Sequence, residues 1–404
     1  MTNTLVTCSI IAKESLAILK NMLTFAGAAN RDWQNEYGGN MSRGYAPGQT
    51  INIMKPPRYT YRAGPVASPQ STVQTTVPVT LSQGGCDINF NGLEQTVSIT
   101  DSRMQDALNA AVATVCNEID RQGAQLLRYS TFNTLNAAGT AITTQIGAVQ
   151  AIANMNRRLD EMAAPRDRRR NLIMNPALNA QLIPGFSGLF NSQSVLDKQF
   201  KSGMMVDSLG LSYAIDQNMP THTNGAATAT NINGANQTGS TITVVAVAGG
   251  TLTKGTVIQL PGVNAVNPQS RQDTGVAMDF VVTADAALGA TSISISPAIV
   301  TSGAFQNVTA SPTTATPYVI SGAASTTYGL SGAFHRDAFT LAMVPLWQPP
   351  KRGVLDAATV SDDGFTLSVT KFFDGINYNA ITRLDVLFGW AATYPELSCR
   401  WYNT

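Results

Sequence analysis

Charge is scarce in this chain. Only 13% of its 404 residues are Asp, Glu, Lys or Arg, and they balance to a net charge of +1. A near-neutral balance excludes global attraction to nucleic acid or to an anionic membrane. Histidine is scarcer still. His222 and His335 stand alone, without acidic or cysteine neighbours at metal or triad spacing, so neither histidine-based catalysis nor a metal cluster is expected. The four cysteines, Cys8, Cys86, Cys116 and Cys399, contain no CxxC pair. They read as reduced, partly buried thiols of a cytoplasmic product. No run reaches the ~18 apolar residues of a membrane helix. The apolar start, Leu5–Ala12, has no basic leader and soon meets Lys13, Glu14 and Lys20, so no secretory signal is expected. The Asn-x-Ser/Thr triplets at Asn40, Asn236 and Asn307 are then chance matches.

A weakly charged surface is tolerable when partners cover much of it. The deficit is deepest in Thr221–Leu330, whose charges are Lys254, Arg271, Asp273, Asp279 and Asp285. Strands are expected there at Thr241–Val247, Thr256–Leu260, Ala277–Thr283 and Thr291–Ser296, punctuated by Gly249-Gly250, Pro261-Gly262 and Leu288-Gly289. Their alternating Ile242, Val244, Val257, Phe280, Val282, Ile293 and Ile295 would fill a small barrel. The flanks mix helical and strand periods. The whole reads as an α+β scaffold interrupted by a β module.

In the flanks, Ile11–Phe25 carries a helical stripe of Ala12, Leu16, Leu19 and Leu23, ended by Gly27. Asp101–Tyr129 is a longer helix, with a possible capping box of Ser102 and Gln105 and a stripe of Met104, Leu108, Ala111, Val115, Ile119 and Leu126. It would run about 40 Å at 1.5 Å per residue. Gln145–Met162 is a further helix, and Phe365–Thr370 and Ala380–Phe388 are strands.

Thr50–Gln95 reads as one long hairpin. Ile51 and Ile53 alternate on one arm; Thr75, Val77, Val79 and Leu81 alternate on the other. Pro56, Pro57, Pro65, Pro69 and Pro78 demote it to an edge-like, exposed structure. Thr50–Ala63 would reach roughly 45 Å at 3.3 Å per residue, against a radius of gyration of ~22 Å for a compact chain of this length. Part of the arm should therefore lie on a neighbour. The alternative is a flap folded back on its own domain.

No other segment proposes chemistry. Asp362-Asp363-Gly364 is a turn without further carboxylates at calcium-loop spacing. Lys254-Gly255-Thr256 has P-loop residue types in the wrong order. Arg157, Arg158, Arg166, Arg168, Arg169 and Arg170, relieved by Asp160, Glu161 and Asp167, form the one basic cluster. It is either a patch facing nucleic acid or an acidic partner, or a solvated helix end. No interleaved aromatics support base stacking.

Four blocks together resemble the major capsid (coat) proteins of tailed bacteriophages. Ile11-Ala12-Lys13-Glu14 through Leu23, with Asn30-Arg31-Asp32, is similar to the family's N-terminal arm. Asn52-Ile53-Met54-Lys55-Pro56-Pro57-Arg58-Tyr59 is similar to the base of its E-loop. Phe334–Ala342 is similar to an A-domain stretch, and Arg383–Gly389 to the closing strand. The resemblance implies a Hong Kong 97-type fold, and the β module resembles the I-domain of the podovirus branch. The implied division is an N-arm at 1–49, an E-loop at 50–95, a P-domain spine helix region at 96–140 and an A-domain at 141–220. An I-domain-like barrel would follow at 221–330, then the rest of the A-domain at 331–380 and P-domain strands at 381–404.

The implied function is self-assembly, as pentamers and hexamers, into an icosahedral head around double-stranded DNA. The protein would be built in the host bacterial cytoplasm and reside in the virion. It would need no cofactor and no enzyme activity. A scaffolding protein and a portal are implied partners; a membrane is not. Candidate intersubunit contacts are Ile53, Met54, Pro57 and Tyr59. Leu16, Leu19 and Leu23 would pack either on a neighbour or scaffold, or on their own chain. Arg166, Arg168, Arg169 and Arg170 are candidate residues for weak, non-specific DNA contact. Two departures from the family stand out. No Lys occurs between Lys55 and Lys198, so the distal E-loop offers no isopeptide donor and a non-covalent shell is expected. Thr221–Thr253 carries no formal charge, so the ionic capsomer contact of I-domain relatives is absent or replaced. The rival readings are a secreted β-rich adhesin or carbohydrate-binding protein, and a hydrolase with a β insert.

Overall fold

The structure is a computed structural model that describes residues 8–32, 48, 50–62, 64–67, 69–72, 75–91, 101–186, 209–347, 354–375 and 379–403. The chain divides into two units. One holds Met1–Lys55, Thr76–Gly123 and Phe339–Thr393; the other holds Pro56–Thr75, Ala124–Ala338 and Tyr394–Thr404.

In the first unit, helices α1 (Cys8–Met22), α2 (Phe25–Ala28) and the first part of α3 (Asp101–Tyr129) cover an antiparallel sheet. Its hub is β17 (Asn379–Ala392), which pairs with β16 (Phe365–Asp374), β3 (Ser82–Asn91) and β14 (Phe339–Val344); β15 (Asp356–Asp362) adds to β16. The core joins Ile11, Leu16 and Leu19 of α1 to Leu108, Val115 and Ile119 of α3, over Phe365, Leu367, Leu384 and Val386. The helical stripe of α3 is thus buried as its spacing predicts from Leu108 to Ile119, and Leu127 rather than Leu126 continues it. The side chains of Ser102, Met104 and Gln105 lie outside the described residues.

Two details of this unit differ from the sequence expectation. The first helix stops at Met22, before Gly27, because the buried Asp120 carboxylate accepts the Thr24 and Ala26 amides at 2.8 and 2.9 Å and starts α2. Thr50–Gln95 is not one hairpin. Only β1 (Thr50–Lys55) and β2 (Thr75–Thr80) pair with each other, and β3 leaves to lie along β17 with Cys86 opposite Leu384. The crossing depends on Gly85, where a Cβ would stand 2.2 Å from the Leu384 carbonyl oxygen. Residues 92–95 lie outside the described residues. The in-register β16–β17 pair spans 380/381, and the chain changes unit at 338/339 and 393/394.

The second unit has a six-stranded sheet and a barrel. The sheet runs β4 (Thr134–Leu135), β18 (Ser398–Asn403), β13 (Thr327–His335), β5 (Arg170–Met174) and β6 (Ser212–Ile215), with β7 (Thr221–Thr223) also on β13. Helices α4 (Gln145–Glu161) and α5 (Pro176–Phe186) pack on it through Ile152, Met155, Leu159, Leu178 and Leu182. Thr144 caps α4 by accepting the Gly147 amide at 3.1 Å.

The barrel strands are β8 (Gly239–Thr243), β9 (Val257–Val266), β10 (Asp273–Val282), β11 (Ser292–Ile299) and β12 (Val319–Ile320), in the order β12-β9-β10-β11-β8. The sheet closes through Asn231 and Ile232, which bridge Pro317 on one edge and Val244 on the other. Closure removes free strand edges. All seven alternating residues expected inside are buried: Ile242, Val244, Val257, Phe280, Val282, Ile293 and Ile295. The entry and exit strands pair with each other, Thr223 opposite Thr327 and His222 opposite Tyr328, and form a neck for the insert.

Candidate assembly surfaces

Between Lys55 and Thr75 the described residues form no strand ladder. Side chains hold the two arms together. The Tyr59 hydroxyl meets Thr72 Oγ1 at 2.9 Å, Gln70 exchanges two hydrogen bonds with the Thr60 backbone, and Arg62 donates to the carbonyls of Gly64 and Val66. Arg58 anchors the root. It donates to Glu396 Oε1 at 3.0 Å and lies 5.9 Å from the Phe305 ring centroid. Residues 56–75 therefore touch their own unit through Arg58, while Tyr59, Tyr61 and Val66 are exposed.

Among the expected contact residues, Ile53 is buried against Val79, Leu81 and Val344 of its own unit, and Pro57 is half-buried. Met54 and Tyr59 are exposed. Tyr61 at 95% and Val66 at 79% are more exposed than either, and sequence reasoning missed both. The alternation of Tyr59 with Tyr61 on an arm already expected to project was the available signal. Leu16, Leu19 and Leu23 are buried among residues of their own unit, which favours self-packing over contact with a neighbour or scaffold.

The arginine cluster separates by depth. Arg166, Arg168 and Arg169 are exposed; Arg166 donates to Asp160, and Arg169 lies 3.7 Å from Asp167. Arg170 does not belong with them. Its guanidinium is buried and donates to Asp160 at 2.7 Å, Asn156 at 3.2 Å and the carbonyls of Ala164 and Pro165 at 2.6 and 2.9 Å. That network leaves it no path to a phosphate. Arg158 is also buried, and its partners are described below.

Both histidines are hydrogen-bonded inside the second unit. His335 Nδ1 accepts the Asp337 amide at 3.3 Å, so Nε2 carries the proton toward Asp167 at 3.0 Å. His222 Nδ1 accepts from Arg128 Nε at 3.2 Å, so Nε2–H donates to Thr256 Oγ1 at 3.2 Å. Burial, then Arg400 and Arg128, push the His222 imidazole down to about 3. Burial pushes the thiols of Cys8, Cys116 and Cys399 up, the last two to about 12. Asp363 and Gly364 both have positive φ, 50° and 79°, as a two-residue hairpin turn between β15 and β16 requires. Lys20 and Arg31 pair with that turn. Among the described residues no group of three His, Cys, Asp or Glu side chains could hold a metal, and no helix is long and apolar enough to cross a membrane.

Sequence reading did not foresee a buried polar seam where the barrel meets the rest of its unit. Asp279 of β10 accepts from Arg158 Nη2 at 3.1 Å, the Thr134 amide at 3.0 Å and Gln259 Nε2 at 2.6 Å. Arg400 of β18 donates to the carbonyls of Gly255 at 2.9 Å and Arg128 at 2.8 Å, and to Thr134 Oγ1 at 3.0 Å. A buried guanidinium needs this many acceptors to remain charged in the interior.

The architecture can be compared with known proteins. No curated protein matches the sequence. A structure from Mycobacterium phage Che8 superposes with a TM-score of 0.50 at 11% identity, covering 94% of this chain and 90% of that one. A chain described as the asymmetric unit of the bacteriophage PhiM1 mature capsid has a TM-score of 0.43 at 10% identity, with 95% and 87% covered. The CUS-3 coat protein I-domain is 22% identical and covers 23% of this chain and 93% of its own, with a TM-score of 0.19. The family model of the P22 coat protein, gene protein 5, matches residues 67–399, well over half of the chain. With its α+β, Hong Kong 97-type fold, the chain therefore belongs to the P22 coat protein family and is a major capsid protein that forms the shell of a phage head.

Proposed function

We propose that the distal E-loop supplies the contacts by which copies of this coat protein hold one another, and that the lock is non-covalent. The exposure of Tyr59, Tyr61 and Val66, and separately of Met54 near the end of β1, carries the reading. Burying one such side chain on a neighbour is worth roughly 1.5–3 kcal/mol. A shell repeats each contact many times, so modest contacts sum to a stable lattice through effective concentration. Pentamers and hexamers are the proposed assembly units, with a scaffolding protein and a portal as further partners. The barrel acts as an I-domain-like module whose Thr221–Thr253 stretch carries no formal charge. Its closure and its entry and exit through the β7–β13 pair support that reading.

Deleting Gly64–Thr75 should leave a folded, soluble subunit that sediments as free protein or capsomers and shows no closed shells by negative-stain microscopy. Normal particles from that deletion would refute the proposal.

A second surface is proposed to face the packaged DNA: Arg166, Arg168 and Arg169, without Arg170. Their exposure supports it, and Asp160 and Asp167 beside them keep the contact weak. Replacing all three with glutamine should leave shell formation intact and lower packaged DNA per particle. Unchanged genome content in those particles would remove the arginines from this role.

A further inference from the structure

His222 stands at the neck of the barrel, and its surroundings make its protonation state consequential. The side chain is fully buried on β7. Its acceptor nitrogen takes Arg128 from the end of α3, and its donor nitrogen reaches Thr256 in the barrel. Thr256 Oγ1 in turn meets Thr253 Oγ1 at 3.0 Å, and Thr253 Oγ1 meets the Thr223 carbonyl at 3.2 Å. Arg400 holds the adjacent Gly255 carbonyl, and a Cβ at Gly255 would stand 3.3 Å from His222 Cε1. One neutral ring thus connects the neck, the helix end and the turn that leads into β9.

The groups placed against this ring are cationic or neutral: Arg128 from α3, Arg400 from β18, Thr256 from the turn before β9, Tyr328 opposite in register on β13, and Asn224 after the end of β7. Tyr129 flanks the same Gly255, and Tyr402 lies against Arg400. Lys254 Nζ lies over the Tyr129 ring at 4.8 Å, a further positive charge nearby. The acid of the seam, Asp279, is occupied by Arg158, Thr134 and Gln259. No described hydrogen bond or ion pair links His222 to a carboxylate.

We propose that His222 is a proton-sensitive latch for the barrel: the neutral ring holds the neck closed, and a proton on Nδ1 opens it. Protonation removes the acceptor that His222 Nδ1 offers Arg128 Nε and turns it into a donor pointed at a donor. It also adds a charge beside two guanidinium groups in a buried site. The sign follows from linkage. The closed ring resists protonation down to about 3, while an open, solvated ring titrates near 6.5. The open state binds the extra proton between those values, so closure is strongest above about pH 6.5 and weakens as pH falls. One group with that difference raises the open population roughly 30-fold between pH 7.5 and pH 5.

Hydrogen exchange of the full chain, read by mass spectrometry and corrected for intrinsic rates, tests this. Protection of 221–224 and 253–257 should fall roughly 30-fold from pH 7.5 to pH 5. In His222→Gln, which keeps one acceptor and one donor but does not titrate, those segments should change little over the same range. An equal fall in the variant overturns the latch. If the glutamine chain does not fold, exchange at the imidazole C2–H of the wild-type protein reads the same histidine directly. A protonation midpoint near 6.5 with the neck amides still protected would overturn it; no midpoint until protection is lost would support it.

Discussion

Replacing Arg158 with methionine should destabilise the second unit by about 3–5 kcal/mol, because it strands a buried carboxylate. Arg158 and Asp279 are each only 2% exposed and meet at 3.1 Å. Methionine fills much of the space but leaves Asp279, among the described residues, with the Thr134 amide and Gln259 as donors. Burial already pushes the Asp279 carboxyl above the usual range, and Arg158 is the main force opposing that shift. Without the guanidinium the carboxyl should bind a proton more readily still. Such a group binds protons in the folded state that the unfolded chain has released. The loss should therefore shrink as pH falls toward 4 and grow toward neutrality. The second arm of the test is Arg158→Met with Asp279→Leu. Exchanging a whole buried pair for apolar groups is often close to neutral, so the double variant should recover a large part of the loss. Urea unfolding of the four chains gives the coupling energy. A single Arg158→Met loss under about 1 kcal/mol, the scale of an exposed pair, would show that water reaches the seam.

This pair also shows where sequence reading stops. Arg158 sits beside Arg157 and near Arg166–Arg170, so by local spacing it belongs to a basic patch. Its partner lies 121 residues away, in the barrel. Arg170 misleads in the same way, since its acceptors include backbone carbonyls that no residue pattern announces. Periodicity says which face of an element is buried, not against what. The barrel interior was legible because strand alternation alone selects Ile242, Phe280 and Ile295, and closure needs no distant partner. The stripe of α3 was legible for the same reason. The fate of Ser82–Asn91 was not. Its alternation suits a hairpin arm as well as a strand beside β17, and only the close approach at Gly85 separates the two. Tyr61 and Val66 were passed over because exposed apolar residues look like core residues in a sequence.

Gly123→Ala should lower stability even though alanine favours a helix interior over glycine by about 1 kcal/mol. Gly123 lies inside α3, where a glycine persists only if a side chain is excluded. The added methyl would stand 2.5 Å from Trp390 Cζ2 and 2.8 Å from Phe25 Cδ1. Neither ring has an easy retreat. Phe25 packs edge-on against Trp390 at 5.7 Å and tilted against Phe339 at 5.6 Å, and Trp390 Nε1 donates to the Ile119 carbonyl at 3.1 Å. Overpacking of a well-filled core costs about 1–3 kcal/mol, which exceeds the helical gain. A net loss of about 1–2 kcal/mol is expected for alanine. Valine, with two further methyls and restricted χ1 freedom, should lose roughly 3 kcal/mol or more. Trp390→Phe makes room at the same point. Alone it should destabilise by opening a cavity and removing the bond to Ile119, yet it should make Gly123→Ala nearly harmless. Unfolding midpoints of the single and double variants decide the matter. A Gly123→Ala chain about 1 kcal/mol more stable than the parent would show that the aromatic cluster yields, and that the glycine is not there to seat α3 against Trp390.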